Sequence, residues 1–69
     1  MRLLIAEDDR LTADTLAKRL KEEHYAVDAV YNGTDALEYL LSADYDVAVL
    51  DIMMPGLDGI EVLRRLRAA

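Results

Sequence analysis

The chain has 69 residues, of which 54% are hydrophobic and 32% charged, and this length allows at most one small domain with a marginal core. It contains no cysteine, which excludes disulfides, thiol nucleophiles and thiolate metal sites. Eight basic and 14 acidic side chains give a net charge of −6, which argues against a nucleic-acid-binding surface and is compatible with a divalent-cation site.

The first half of the chain predicts a strand, a helix and a second strand. Residues 3–6 (LLIA) are continuously apolar, as is typical of a strand inside a parallel sheet that helices cover. From residue 11 to 23, apolar positions recur at helical spacing, with Asp14 and Lys18 placed to pair on the outside. The apolar positions of this helix are Ala13, Leu16, Ala17 and Leu20. Residues 25–31 (YAVDAVY) carry a central aspartate, Asp28, which favours an edge strand.

The second half continues the alternation. Asn32-Gly33 predicts a turn, after which Thr34 is expected to cap a second helix. The inward positions of this helix are Ala36, Leu37, Leu40 and Leu41. Residues 47–50 (VAVL) predict a third, fully apolar strand. Asp58 and Glu61 have the spacing of a capping box at the start of a third helix, whose apolar stripe is Ile60, Leu63 and Leu66. This order predicts a parallel α/β unit with right-handed crossovers.

Acidic side chains follow two of the predicted strands. Glu7, Asp8 and Asp9 come after the first strand, and Asp51 comes after the third. Sites in parallel α/β sheets form outside the carboxyl ends of the strands, so neighbouring strands would place at least three carboxylates in one crevice. Carboxylates at such short distances shift one another's pKa or require a cation. A ligand set that consists of oxygen atoms alone favours Mg²⁺. A carboxylate beside Mg²⁺ can also act as a nucleophile toward phosphorus.

These residues also have ordinary interpretations. Asp51 could be an N-cap or a solvated loop carboxylate, and Glu7 and Asp8 could only solvate the end of a strand. Met53 is typical of loop filling rather than of a soft-metal site. His24, at the end of the first predicted helix, fits a partner of the helix dipole.

Four stretches resemble the receiver domains of bacterial response regulators, of the winged-helix transcription-factor branch of two-component systems. They are LLIAEDD (3–9), NGTDAL (32–37), YDVAVLDIMMPGLDG (45–59) and IEVLRRLR (60–67). The pairing of EDD with D-x-x-M-P-x-x-D-G is highly specific. The resemblance implies a flavodoxin-like α/β fold with parent strand order 2-1-3-4-5. Residues 1–69 would then be a partial, truncated receiver domain, a (βα)₃ half with a three-stranded parallel sheet of order 2-1-3.

The resemblance also implies a role for each matching site residue. Asp51 matches the phosphoacceptor, which receives a phosphoryl group from a phosphohistidine of a sensor histidine kinase. Asp8 matches a direct Mg²⁺ ligand, Glu7 a neighbour that reaches the ion through water, and Met53 a ligand through its main-chain carbonyl. Asp9 has no such role and is expected to cap the first helix.

The chain departs from the receiver pattern in length. Receivers have two further βα units, which supply a Lys and a Ser or Thr that hold the phosphoryl group. The only lysines here, Lys18 and Lys21, lie on the first predicted helix and match neither position. We therefore expect phosphotransfer and switching to be impaired in this segment, which is not expected to be an enzyme.

The third strand, at an edge of the sheet, would expose VAVL to other chains. We expect a poorly stable monomer and a homodimer, or a domain-swapped oligomer, that completes the sheet by self-association. A self-associating fragment without signalling activity is therefore an alternative function, and a Mg²⁺-dependent phosphohydrolase is a remote one. The parent protein is expected to carry a DNA-binding output domain. No apolar run has the length of a signal-peptide core or a membrane span, so a cytoplasmic location is expected.

Overall fold

The computed structural model describes residues 1–69 and alternates three strands with three helices. The strands are β1 (Arg2–Ala6), β2 (Ala26–Val30) and β3 (Val47–Leu50), and the helices are α1 (Arg10–Glu22), α2 (Gly33–Ser42) and α3 (Gly59–Ala68). All strands are parallel, in the order β2-β1-β3. The predicted element order and strand order are therefore confirmed. None of the three helices combines the length and the hydrophobicity needed to span a bilayer.

Helices cover the central strand β1 on both faces. One core cluster lies between the sheet and α1 and consists of Leu3, Ile5, Ala13, Ala17 and Val27. The other lies between the sheet and the pair α2 and α3, and consists of Leu4, Ala6, Val30, Ala36, Met54 and Val62. Because successive side chains of a strand point to opposite faces, β1 contributes to both clusters. This explains why residues 3–6 are apolar without interruption.

Two of the predicted helix caps are confirmed. The Asp9 carboxylate accepts hydrogen bonds from two amides of the first turn of α1, at 3.1 and 3.4 Å. The Asp58 carboxylate accepts one from the amide of Glu61, at 2.8 Å. The Glu61 carboxylate does not close the capping box but pairs with Arg64 and Arg65, at 3.5 and 3.2 Å.

The start of α2 differs from the prediction. Asn32 caps this helix instead of Thr34, and its side-chain oxygen accepts a hydrogen bond from the amide of Asp35 at 2.8 Å. Asn32 is extended, with φ −153° and ψ 164°, and the helix begins at the next residue, Gly33. The Asn-Gly pair is thus a cap followed by the first helical residue, because the Asn side chain satisfies a free amide of the first turn.

The inward faces of the helices are narrower than predicted. α3 buries Val62 completely, whereas Ile60 and Leu63 of the predicted stripe are 62% and 40% exposed. Leu16 of α1 and Leu41 of α2 are also exposed. The first turn of α3 packs against the loop after β3. The position of this turn, and not the size of the side chains, determines which face of α3 meets the sheet.

Candidate functional site

The carboxyl ends of β1 and β3 lie side by side, since the strands pair with Ala6 opposite Leu50. The amide of Asp51 donates a hydrogen bond to the carbonyl of Ala6 at 2.9 Å. The amide of Glu7 donates one to the carbonyl of Val30, the last residue of β2, at 3.1 Å. Backbone hydrogen bonds therefore fix the first residue after β1 and the first residue after β3 to a neighbouring strand.

Glu7, Asp8 and Asp51 are brought together at this edge of the sheet. One carboxylate oxygen from each residue lies within 4.8 Å of the other two. Glu7 and Asp51 are half-buried, and Asp8 is exposed. Asp9, the fourth acidic residue of the pattern, is not in the group and caps α1 instead. We call these three residues the acidic cluster.

Two local hydrogen bonds orient the acidic cluster. The amide of Met53 donates to Oδ1 of Asp51 at 3.2 Å, and the amide of Asp9 donates to Oε1 of Glu7 at 3.2 Å. The bond at Asp51 is that of an Asx turn, in which an aspartate accepts from the amide two residues further on. Beside the cluster lies an open crevice of about 430 Å³, lined by Asp8, Ile52, Met53, Met54 and Asp58. The loop after β3 therefore forms one wall next to the carboxylates.

The acidic cluster has no basic partner within the protein. None of the four ion pairs involves its carboxylates, and the nearby Arg10 guanidinium lies over the ring of Tyr31, 4.0 Å from the centroid. The hydrogen bond from the Asp9 amide lowers the pKa of Glu7. Hydrogen bonding and charge from Asp51, together with partial burial, outweigh it and leave that pKa above its ordinary value. A cation would relieve this repulsion between like charges.

The predicted pair between Asp14 and Lys18 does not form. The Asp14 carboxylate accepts a hydrogen bond from the hydroxyl of Tyr31 at 2.6 Å. Tyr31 follows β2 and packs against the core cluster under α1, which brings its ring to the helix. A contact between two elements thus replaces the pair expected within one helix.

Gly33 was not predicted to contact the loop after β3, and Gly59 lies against the main chain of Asp51. A Cβ at Gly59 would lie 2.4 Å from the carbonyl oxygen of Asp51, and one at Gly33 would lie 1.6 Å from the carbonyl oxygen of Leu57. In the sequence, Gly33 belongs to the Asn32-Gly33 pair, which equally fits an ordinary turn, and to the matching stretch NGTDAL. Neither indicates a contact with Leu57.

The chain matches the family model of the response regulator receiver domain over residues 3–69. It is 54% identical over 67 residues to the transcriptional regulatory protein TctD of Salmonella typhimurium, covering 97% of this chain and 30% of TctD. It is 44% identical over 69 residues to the transcriptional regulatory protein DltR of Streptococcus agalactiae, covering 100% of this chain and 31% of DltR. The chain thus spans about a third of the length of these relatives.

Solved structures agree with this match. The receiver domain of the Francisella response regulator 1452 superposes with a TM-score of 0.92 at 36% identity, covering 97% of this chain and 55% of that one. The response regulator TrrA of Thermotoga maritima, in complex with Mg²⁺-BeF, gives 0.88 at 39% identity, covering 97% and 58%. A complex of TrrA with the histidine kinase ThkA gives 0.86 at 39% identity, with the same coverage. The sequence match and the shared flavodoxin-like fold together show that the chain belongs to the response regulator receiver domain family.

Proposed function

We propose that Asp51 accepts a phosphoryl group from a phosphohistidine of a sensor histidine kinase. The observation that carries this proposal is the acidic cluster, whose three carboxylates meet within 4.8 Å where β1 and β3 end. The similar protein TrrA has been solved with Mg²⁺-BeF and with a histidine kinase, which supports both the ion and the partner.

The acidic cluster is the proposed Mg²⁺ site. Asp8 and Asp51 would bind the ion directly, Glu7 through water, and Met53 through its main-chain carbonyl. The residues fit this ion because they offer only oxygen ligands and no basic side chain compensates their charge. When bound, Mg²⁺ would neutralise charge as the phosphoryl group approaches a carboxylate.

The residues of the chain supply the nucleophile and its orientation. An oxygen of the Asp51 carboxylate forms a bond to phosphorus while the bond between phosphorus and the histidine nitrogen breaks. The electron pair of the broken bond stays on the imidazole, and Asp51 becomes an acyl phosphate. The hydrogen bond from the Met53 amide to Oδ1, and that from the Asp51 amide to Ala6, hold the carboxylate in place before the reaction.

We further propose that transfer to the 69-residue polypeptide by itself is slow and reaches low occupancy. In the longer receivers that this chain resembles, a Lys and a Ser or Thr hold the phosphoryl group. They lie in parts of those receivers that residues 1–69 do not match. Lys18 and Lys21 instead line a groove of about 630 Å³ between α1 and β2. A phosphoryl group on Asp51 would therefore lack the donors that stabilise it.

The phosphoacceptor proposal is tested by intact-mass measurement after incubation with Mg²⁺ and acetyl phosphate. We expect one phosphoryl group at low occupancy, lost when Mg²⁺ is chelated and absent from Asp51→Asn. Asp44→Asn, the same change at an exposed aspartate before β3, should keep it. An adduct that survives in Asp51→Asn would contradict the phosphoacceptor assignment, and rapid complete modification would contradict the expected impairment.

The ion is tested separately by NMR titration with Mg²⁺. Asp8→Asn removes a proposed direct ligand, and we expect Mg²⁺ binding to weaken by at least about tenfold. Asp44→Asn again serves as the matched control. Unchanged binding in Asp8→Asn would contradict the proposed ligand set.

A second proposal concerns the outer edge of β3. This strand pairs only with β1 and carries no charged residue. Val47 and Val49 are paired in register with Leu3 and Ile5, so they lie on the same face as α1, where they are 45% and 48% exposed. We propose that a second copy covers this edge, as a homodimer with a continuous six-stranded sheet or as a domain-swapped oligomer.

The parent protein is proposed to regulate transcription. TctD and DltR, which are both longer than this chain, are transcriptional regulatory proteins. Nucleic-acid contact would then belong to an output domain, because the net charge of these 69 residues is −6.

A further inference from the structure

The loop between β3 and α3, residues 52–58, rests on the first turn of α2. The amide of Gly33 donates a hydrogen bond to the carbonyl of Pro55 at 3.2 Å. A Cβ at Gly33 would lie 1.6 Å from the carbonyl oxygen of Leu57. One residue further, Oγ1 of Thr34 lies 2.8 Å from the position that a Cβ would take at Gly56. The loop backbone and the helix backbone are therefore in direct contact.

Glycine is required at position 33 for space and not for an unusual backbone angle. Only Gly56 among the glycines has a positive φ, at 79°. The atoms that a side chain at Gly33 would meet belong to the main chain of Leu57, so no change of rotamer can relieve the overlap. Any larger residue must move the loop away from α2.

The same loop carries the backbone that orients the proposed phosphoacceptor. At its start, the amide of Met53 donates to Asp51, and the carbonyl of Ile52 accepts a hydrogen bond from the amide of Gly59 at 3.0 Å. In the middle of the loop, Met54 is buried in the core, and the carbonyl of Pro55 accepts the hydrogen bond from the amide of Gly33. The loop is thus held at both ends and at the contact with α2, and Pro55 at that contact is two residues from Met53.

We propose that Gly33 is a positioning residue for the site: its contact with Pro55 and Leu57 sets the path of the loop and so places the Met53 backbone next to Asp51. The part of this inference that concerns Mg²⁺ binding rests on the proposed function. The part that concerns the path of the loop does not depend on it. Gly33 is not among the proposed ligands of the ion.

The test compares Gly33→Ala with wild type in two measurements by ¹⁵N NMR. Without metal, we expect the amide signals of Ile52 and Met53 to shift and the amide hydrogen of Met53 to exchange faster. With Mg²⁺, we expect binding to weaken by at least about tenfold, the loss typical when groups that orient metal ligands are removed.

The matched control is Asn32→Ala. It removes the cap of α2 and lowers the melting temperature, but it adds nothing against the loop. Its Mg²⁺ affinity should stay within about twofold of wild type. A Gly33→Ala protein with wild-type signals for Ile52 and Met53, or a control that weakens Mg²⁺ binding equally, would overturn the inference. If wild type itself binds no Mg²⁺, the proposed function fails, and the metal-free signals still decide the role of Gly33.

A measurement on wild type covers the case in which Gly33→Ala does not fold. The amide of Gly33 donates to the carbonyl of Pro55, so a loop that moves with this contact should shift the Gly33 amide signal together with that of Met53 when Mg²⁺ is added. A Met53 signal that shifts with Mg²⁺ while the Gly33 signal stays unchanged would overturn the inference.

Discussion

At the scale of single residues, a contact at the end of the sheet opposite the acidic cluster explains why β2 carries a charged residue, Asp28. Its carboxylate accepts a hydrogen bond from the hydroxyl of Tyr45 at 2.6 Å and pairs with the guanidinium of Arg2 at 3.1 Å. The guanidinium also lies 5.0 Å from the centroid of the Tyr45 ring. The hydrogen bond from Tyr45, followed by that from Arg2, lowers the pKa of Asp28 although partial burial opposes the shift.

This lowered pKa predicts an acid-sensitive contribution to stability. Asp28 ionises more readily in the folded chain than in the unfolded chain, so its contribution is present above about pH 4 and is lost as the pH falls through the lowered pKa. Tyr45→Phe should cost about 1 kcal/mol of unfolding free energy at neutral pH. The difference from wild type should shrink below the pKa of Asp28. Urea unfolding at several pH values measures both.

The control for Tyr45→Phe is Tyr39→Phe, the same change at a tyrosine that is 43% exposed on α2. It should change the unfolding free energy little at any pH. An NMR titration in Tyr45→Phe should also show the pKa of Asp28 moving up toward its ordinary value. If that pKa does not move, Tyr45 is not the cause of the shift.

At the scale of the element, the turn that follows α1 contains a strained residue. His24 has a φ of 69°, in the left-handed region that favours glycine. The amide of His24 bonds to the carbonyl of Lys21 at 2.9 Å, and that of Tyr25 bonds to the carbonyl of Leu20 at 3.3 Å. These two bonds close a Schellman motif and keep the backbone in place despite the strain.

We expect His24→Gly to raise the unfolding free energy by roughly 0.5–1 kcal/mol, because relief of the left-handed strain exceeds the added entropy of the unfolded chain. His24→Ala keeps the Cβ and removes the imidazole, so it should give no gain. Chemical denaturation of both variants separates the backbone effect from any interaction of the histidine with the helix dipole. Equal stability of the two variants would show that strain at this residue is not significant.

Element boundaries were predicted best where a side chain acts locally. Asp9 and Asp58 bond to amides two or three residues away, and their positions in the sequence identified them as caps. Asn32 acts just as locally, but Thr34 two residues further on is also a capping residue type, and the sequence did not separate the two. The burial of Val62 in place of Ile60 could not be predicted in this way. Both are apolar, and the packing of the first turn of α3 on other parts of the chain selects between them.

At the scale of the whole molecule, the two sides of the sheet are covered unequally. α2 and α3 share one face, whereas α1 alone packs on the other, mainly over β1 and β2. Val47 and Val49 on that face remain about half exposed, beside the free edge of β3. An apolar edge of this kind is a template for pairing with another chain.

The proposed self-association predicts a concentration-dependent mass above that of one chain, measurable by analytical ultracentrifugation. Val49→Lys should shift the equilibrium toward the monomer, because a charge at the edge of β3 opposes pairing. Leu41→Lys adds the same charge at an exposed leucine on α2 and should leave the equilibrium unchanged. A wild-type chain that stays monomeric and unfolds cooperatively would contradict the proposal.

The sequence by itself determined the family, the strand order and the residues of the acidic cluster. Glu7, Asp8 and Asp51 could be identified because residues that follow parallel strands share one edge of a sheet. In addition, the EDD and D-x-x-M-P-x-x-D-G patterns of the family include these three residues.

Only the tertiary structure decided the contacts that join different elements outside this edge. Asp14 bonds to Tyr31 instead of Lys18, and Gly33 meets Leu57, a residue 24 positions away in the chain. Such contacts join elements whose relative position depends on how both core clusters pack, and periodicity along one element carries no information about that. The acidic cluster thus follows from strand order, whereas the path of the loop beside it follows from the packing of α2 and α3.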